Sequence, residues 1–435
     1  MSKPSPNFTP NIIKEQDNKK IRNNRNSTEN YKFLNPRPLH NQINDINNYL
    51  NNNSNNSLLK KQFKKPPLIG LKNIEAYCYM NPILQCFCQI ESLVNYFKYD
   101  KMVDNAIEKY KNKNCLTKSF KILIENLWPT SDNKYIKKKY LSKYSNNTYF
   151  IPEEFKETIS KMNPLFEDIY PKFADAKDLP LFIIETLHDE LNEYKDCKYM
   201  SDFNFDRYNQ DSALNYFKMD FSRTNKSIIS DKFYGIVHSV TKCSNCLIDR
   251  HIFQIYYFLI FPLEEVREYK LKQSVKNQNL MEINQNNFNI FDCFEYDQRQ
   301  VIMDGDNKPY CNNCNATFPA TCSTYLYTAP SILILVLNRG KRLQFKIKLE
   351  FYTELNLSKF IQSRANNENI IYDLIGVVTH IEESGSNGYF IATCKSPIDS
   401  LWYQYDDDLV SRVDNFTDQV LNYAFPNILF YQKKP

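Results

Sequence analysis

Gly70–Phe97, GLKNIEAYCYMNPILQCFCQIESLVNYF, sets Cys78 just ahead of an apolar series. Ile83, Leu84, Phe87, Ile90, Val94 and Phe97 recur mostly at steps of three and four, and that spacing predicts one face of a helix. Pro82 falls where a first helical turn accepts proline, because the N–H groups of that turn have no partners inside the helix. A thiol at a helix N-terminus feels the positive end of the dipole, which favours the thiolate and makes Cys78 a candidate nucleophile. Cys86 and Cys88, on the same predicted helix, read as small buried hydrophobes.

The 435 residues are 42% hydrophobic and 14% aromatic, enough for a substantial core in one large domain or a few smaller ones. No apolar run reaches the length of about 18 residues that a spanning helix needs, so no membrane segment is expected. Twelve cysteines without a secretory apolar stretch after Met1 point to a reducing compartment, cytoplasmic or nuclear, where CxxC pairs bind zinc more readily than they form disulfides. The net charge of +5 is uneven. Residues 1–66 hold a surplus of roughly eight positive charges, are rich in Asn and poor in apolar side chains, and are expected to be a disordered basic tail. Lys19, Lys20, Arg22 and Arg25 are the residues through which that tail would meet nucleic acid or another anion.

After the cysteine helix, lysine-rich helices with Phe120, Leu123, Ile124 and Leu127 at helical steps are expected over 101–143, solvated on their outer faces. Helical spacing continues through Phe155, Ile159, Leu179, Ile183 and Leu187. Beyond residue 200 the pattern turns to alternation in FYGIVHSVTKCSNC, HIFQIYYFLIFPL, ATCSTYLYTAPSILILVLNRG, LQFKIKLEFY, YDLIGVVTH, YFIATCK, LWYQYD and NILFYQKK. Helices first and a mostly antiparallel sheet second make an α+β fold. Residues 270–292 are polar and Asn-rich and read as an inserted loop. Cys243-x2-Cys246 and Cys311-x2-Cys314 offer two knuckles that together complete a tetrahedral four-sulfur Zn²⁺ site, structural because no coordination position is left for water. No organic cofactor is expected.

Gly70-Leu71-x-Asn73-x4-Cys78-Tyr79-Met80-Asn81-x2-Leu84-Gln85 resembles the cysteine box of the ubiquitin-specific proteases, papain-like cysteine deubiquitinases. The resemblance spans about Pro67 to Lys433 and implies a helical thumb near 67–220, zinc-bearing fingers near 221–325 and a β palm near 326–433. It also implies that Cys78 attacks the isopeptide carbonyl while Asn73 steadies the oxyanion. Asp175, Ala176, Asp178 and Leu179 are similar to the acidic thumb motif, which implies that Asp175 and Asp178 meet the arginines of the ubiquitin tail. Ubiquitin or a ubiquitin-like protein, with proteins carrying it, is the implied partner; a non-ubiquitin scaffold tethered by the basic tail is a further reading.

The resemblance also marks a loss. The family opens a late strand with Gly-His-Tyr, and here Gly388 is followed by Tyr389. Asp406, with Asp407 beside it, keeps the spacing of the acid that orients the histidine. A phenol that titrates near pH 10 neither takes the thiol proton at neutral pH nor protonates a departing lysine. Glu75 stands where the family has glycine, and Tyr77 where it has threonine; a carboxylate beside the sulfur opposes both thiolate and oxyanion. The expectation is therefore a ubiquitin-recognising chain with impaired or absent catalysis. A working deubiquitinase, with His380 as a substitute base sharing a face with Tyr389, is the alternative. His40, His188, His238 and His251 read as structural or exposed.

Overall fold

The computed structural model describes residues 58–73, 79–130, 140–141, 148–167, 177–194, 205–276, 288–340, 346–362, 369–381 and 388–435. His40, Glu75, Tyr77, Cys78 and Asp175 lie outside the described residues. The helical half runs α1 (Leu58–Gln62), β1 (Ile69–Leu71), α2 (Met80–Cys88), α3 (Glu91–Tyr99), α4 (Lys101–Lys109), α5 (Leu116–Leu127), β2 (Tyr140–Leu141), β3 (Thr148–Phe150), α6 (Glu153–Met162), α7 (Asp178–Leu191), α8 (Gln210–Thr224) and α9 (Ile228–Phe233). The β half follows as β4 (Gly235–Cys243), β5 (Asp249–Tyr256), β6 (Leu259–Pro262), α10 (Leu263–Lys276), α11 (Ile290–Asp297), β7 (Val301–Met303), β8 (Tyr310–Cys311), β9 (Ala316–Thr317), β10 (Ala320–Thr328), β11 (Ile332–Asn338), β12 (Glu354–Asn356), β13 (Ile371–Ile381), β14 (Tyr389–Lys395), β15 (Trp402–Asp406), β16 (Leu409–Arg412) and β17 (Pro426–Lys433). The expected α+β class is what the chain adopts.

The predicted cysteine helix is two helices. Ile90 takes an extended backbone (ψ 103°) and caps α3, so the apolar series continues across a bend instead of down one cylinder. Every residue of α2 is buried, and its polar side chains are bonded inward. Gln85 donates to the Ile69 carbonyl at 3.0 Å and Asn81 to the Leu71 carbonyl at 3.0 Å. Four residues of helix rise about 6 Å and two residues of strand span about 6.6 Å, so one stripe of α2 reaches alternate carbonyls of β1.

Nor is the 101–143 region solvated throughout. In α5, Lys121, Glu125 and Asn126 are buried with the apolar residues, because α5 threads the middle of the helical layer. The Lys121 ammonium reaches Asp104 at 2.7 Å. Glu190 of α7 accepts from the Leu116 and Thr117 N–H groups at 3.0 and 2.7 Å, capping α5 from outside its own sequence.

The end of the expected disordered tail is ordered as well: Leu59 of α1 is fully buried and Phe63 meets Trp128 edge-on at 5.4 Å. The expected inserted loop at 270–292 is helical at both ends, since α10 runs to Lys276 and α11 starts at Ile290 under an Asn289 capping box. LQFKIKLEFY was expected to be a strand, but residues 346–352 form none. Leu349 N–H goes to the Ala424 carbonyl and Glu350 N–H to that of Phe288, leaving one bridge to Asn289 in place of a ladder.

Two larger sheets carry the β half. One has the order β5-β4-β10-β7; the other runs β16-β15-β14-β13-β17-β11-β6, with β12 paired to β13. The central strands β11 and β17 of the larger sheet are buried on both faces. On β11, Ile332, Ile334 and Val336 face the core that holds α2, while Leu333, Leu335 and Leu337 face a second core with α10 and α11. A strand with two covered faces has no reason to alternate apolar with polar, hence ILILVL.

Candidate active site and metal centre

The segment that carries Asn73 is fastened to the turn between β15 and β16. Asn81 Nδ2 donates to Asp407 Oδ1 at 2.8 Å, and the Leu71 N–H donates to the Asp407 carbonyl at 2.9 Å. Asn73 donates from its side chain to the same carboxylate. A Cβ on Gly70 would lie 2.7 Å from the backbone of Asp407 and Asp408, so only glycine admits this approach. Burial raises the Asp407 carboxyl above its ordinary range; the Asn81 and Asn73 donors and Lys72 pull it down, and Asp408 adds to the rise. Asp407 also sits at φ +50°, a left-handed backbone that costs a non-glycine residue about 1 kcal/mol. Asp406, at the end of β15, pairs with Leu409. Asp407 is bonded to the cysteine box through Asn81.

On β14, Tyr389 lies opposite Ile381 and Phe390 lies opposite His380. Cross-strand partners share a face, so His380 and Tyr389 point to opposite faces. The expectation that they share one is corrected; the hairpin register, one residue away from that assumption, is the reason. The His380 face is the one that meets α2. A Cβ on Gly376 would stand 3.2 Å from Cys86 Sγ, and Val378, Ala392 and Cys394 pack in the α2 core. His380 meets the Phe390 ring edge-on at 4.9 Å, and a Cβ on Gly388 would be 2.5 Å from its ring.

The remaining described histidines have structural partners. His188 Nδ1 is 2.8 Å from Ser227 Oγ. His238 bridges His251 at 3.0 Å and Gln362 at 2.6 Å. Cys86 and Cys88 are buried, as expected, and Cys86 Sγ lies 3.6 Å from Cys394 Sγ. Asp178 opens α7 with Lys177 at 3.9 Å.

Sequence reasoning passed over Asn81. The available signal was a pair of amides, Asn81 and Gln85, four apart on an otherwise apolar helix. Asn81 is 2% exposed and its Oδ1 has no hydrogen-bond partner among the described residues, a deficit of roughly 1–3 kcal/mol.

The two CxxC knuckles meet. The sulfurs of Cys243, Cys246, Cys311 and Cys314 all lie within 4.8 Å of one another. The Cys243–Cys314 and Cys246–Cys311 distances are 4.0 and 3.7 Å. Tetrahedral zinc with Zn–S bonds of about 2.3 Å sets its sulfurs about 3.8 Å apart, so the cage fits that ion. The backbone N–H of Cys246 is the main cause that brings the Cys243 thiol down to about 7, and Asn245 donates to Cys314 Sγ at 3.3 Å. Among the described residues this is the group of side chains suited to a metal, and no helix there is long and apolar enough to cross a membrane.

Comparison with known proteins agrees with the geometry. Ubiquitin carboxyl-terminal hydrolase 2 of Bos taurus is 25% identical over 356 residues, covering 80% of this chain and 52% of its own. Its Gallus gallus namesake is 26% identical, covering 84% and 93%. Ubiquitin carboxyl-terminal hydrolase Usp2 of Drosophila melanogaster is 24% identical, covering 85% and 35%. The chain thus spans about half or less of the cattle and fly relatives. The solved SAGA DUB module of Ubp8, Sgf11, Sus1 and Sgf73 bound to monoubiquitin shares the fold, with a TM-score of 0.57, 18% identity, and coverage of 91% of this chain and 76% of the other. The family profile described as ubiquitin carboxyl-terminal hydrolase matches residues 69–431, and the chain belongs to that family, on its ubiquitin-specific protease branch.

Proposed function

We propose that the chain recognises ubiquitin through the thumb, palm and fingers of a ubiquitin-specific protease domain, and that its isopeptidase chemistry is impaired. What supports this reading is Tyr389, which the sequence resemblance sets at the family's histidine position and which opens β14 behind the left-handed Gly388 (φ +72°). Cys78 would remain as the nucleophile and Asn73 as the oxyanion donor, with Asp406 and Asp407 still beside them. Proton transfer to and from the sulfur would lack its carrier, which is worth about 10² to 10⁴ in rate. Asp175 and Asp178 would meet the basic ubiquitin tail, and Zn²⁺ held by Cys243, Cys246, Cys311 and Cys314 would fix the fingers. Ubiquitin and ubiquitinated proteins are the partners; the basic tail would supply any nucleic-acid contact.

A fluorogenic ubiquitin conjugate tests the proposal. Wild type should turn over slowly or not at all, and Tyr389→His should gain about 10²-fold. Wild-type turnover at a rate that Tyr389→His does not improve, and that Cys78→Ala abolishes, would overturn it. One observation favours the active alternative: His380 lies on the sheet face that meets α2, at the end of the sheet where Asp407 binds that helix. His380→Ala in the same assay decides it, since loss of wild-type turnover assigns the base to His380.

A further inference from the structure

We infer that Asn81 is a positioning residue for the oxyanion side of the Cys78 centre, acting through Asp407 on Asn73. The inference deepens the proposed function and rests on its assignment of Asn73 as the oxyanion donor. Asn81 divides its amide between the Leu71 carbonyl (3.0 Å) and Asp407 Oδ1 (2.8 Å). The Leu71 N–H returns to the Asp407 carbonyl at 2.9 Å, which closes a ring of three residues from three segments: β1, α2 and the β15–β16 turn. Asn73, two residues past that ring, bonds to the same carboxylate. Asp407 is thus the common acceptor, and Asn81 is the group that fixes it from the rigid, buried helix. Gly70 lets the two backbones close to a distance that a side chain would forbid, which denies the turn room to slide.

The ring collects features that packing alone does not select. Asp407 has a left-handed backbone, its carboxyl is half-buried next to Asp408, and the Asn81 Oδ1 is buried without a partner among the described residues. Costs gathered at one point, on the segment that leads to the nucleophile, mark a geometry kept for the centre.

The test needs no turnover. Ubiquitin ending in an aldehyde adds the Cys78 thiol: the S–C bond forms, the carbonyl π pair moves to oxygen, and the thiol proton ends on that oxygen. The adduct oxygen occupies the oxyanion position, so the affinity ratio of aldehyde to unmodified ubiquitin cancels docking and reports on the sulfur adduct and its oxygen; Asn73→Ala and the double variant assign the oxygen's share. Both ligands are titrated against the full chain as wild type, Asn81→Ala, Asn73→Ala and the double variant, with Asp407→Asn as a substitution at the half-buried acceptor of the ring. Wild type should favour the aldehyde by at least about tenfold. Asn81→Ala should remove most of that preference while unmodified ubiquitin binds within about twofold of wild type, and Asn73→Ala should add little on top of it. Asp407→Asn should lower the ratio in the same way.

A ratio untouched by Asn81→Ala and Asp407→Asn, an equal loss for both ligands, or no aldehyde preference in wild type would overturn the positioning role. Failure of wild type to bind unmodified ubiquitin would instead sink the functional reading on which it rests.

Discussion

Two groups of sulfur atoms, almost equally spaced, behave in opposite ways. In the fingers, Cys246 and Cys311 are 3.7 Å apart, and a knuckle N–H brings Cys243 down to about 7. Under α2, Cys86 and Cys394 are 3.6 Å apart, and burial pushes Cys86 and Cys88 well above the ordinary thiol range. Distance alone does not separate a metal cage from a packing contact. Backbone donors do: the knuckle N–H groups lower Cys243, while Cys314, lowered by Asn245 but raised more by desolvation and its three sulfur neighbours, goes up to about 11; under α2 no such donor offsets burial, and Cys86 and Cys88 are raised.

The largest expected effect follows from removing metal. Structural zinc is worth on the order of 10 kcal/mol in small zinc domains, so a chelator should expose the amides of β4 and β10 near Cys243 while β11 and β17 stay protected. Hydrogen exchange measures this, and unchanged fingers would erase the distinction between the two regions. Next in size is Phe87→Ala. Phe87 is fully buried and meets Phe430 edge-on at 5.4 Å, so the substitution should cost about 3–5 kcal/mol in denaturant titrations while metal affinity stays constant. Asn245→Ala should weaken metal binding about tenfold in a competition titration, having lost the donor to Cys314, without moving the stability of the palm.

The smallest effect is a pH slope. A thiol raised above its ordinary value of 9.0 keeps its proton when folded but loses it when unfolded, so the native state binds more protons and stability falls as pH rises above about 9. Replacing Cys86 and Cys88 by Ala should flatten the change between pH 8 and pH 10 by at most about 1.4 kcal/mol per pH unit per thiol. An unaltered slope would mean that these thiols ionise in the folded chain.

The paired CxxC motifs and the cysteine box were legible because their chemistry is local: ligands spaced for one ion, and a thiol ahead of a proline-started helix. What needed three dimensions was pairing. Whether His380 sits opposite Tyr389 or Phe390 is a matter of one residue of register, which side-chain types in the hairpin do not announce. The bend at Ile90 was hidden because apolar spacing runs on when a chain turns but stays inside one core. Burial of Lys121 and Glu125 on α5 was hidden because their partners come from elsewhere in the chain or from the surrounding helical layer. Asn81 escaped notice for a related cause, since an amide inside an apolar helix gains meaning only once the carbonyl and carboxylate it meets are known.

The metal cage also sets an order of events at birth. Its halves are 65 residues apart along the chain at Cys246 and Cys311, and β6, α10 and α11, which belong to the larger sheet and its second core, come between them. On the ribosome the first two sulfurs emerge well ahead of the second pair, so the knuckle waits, open and reactive, until elements of another sheet and core have been synthesised.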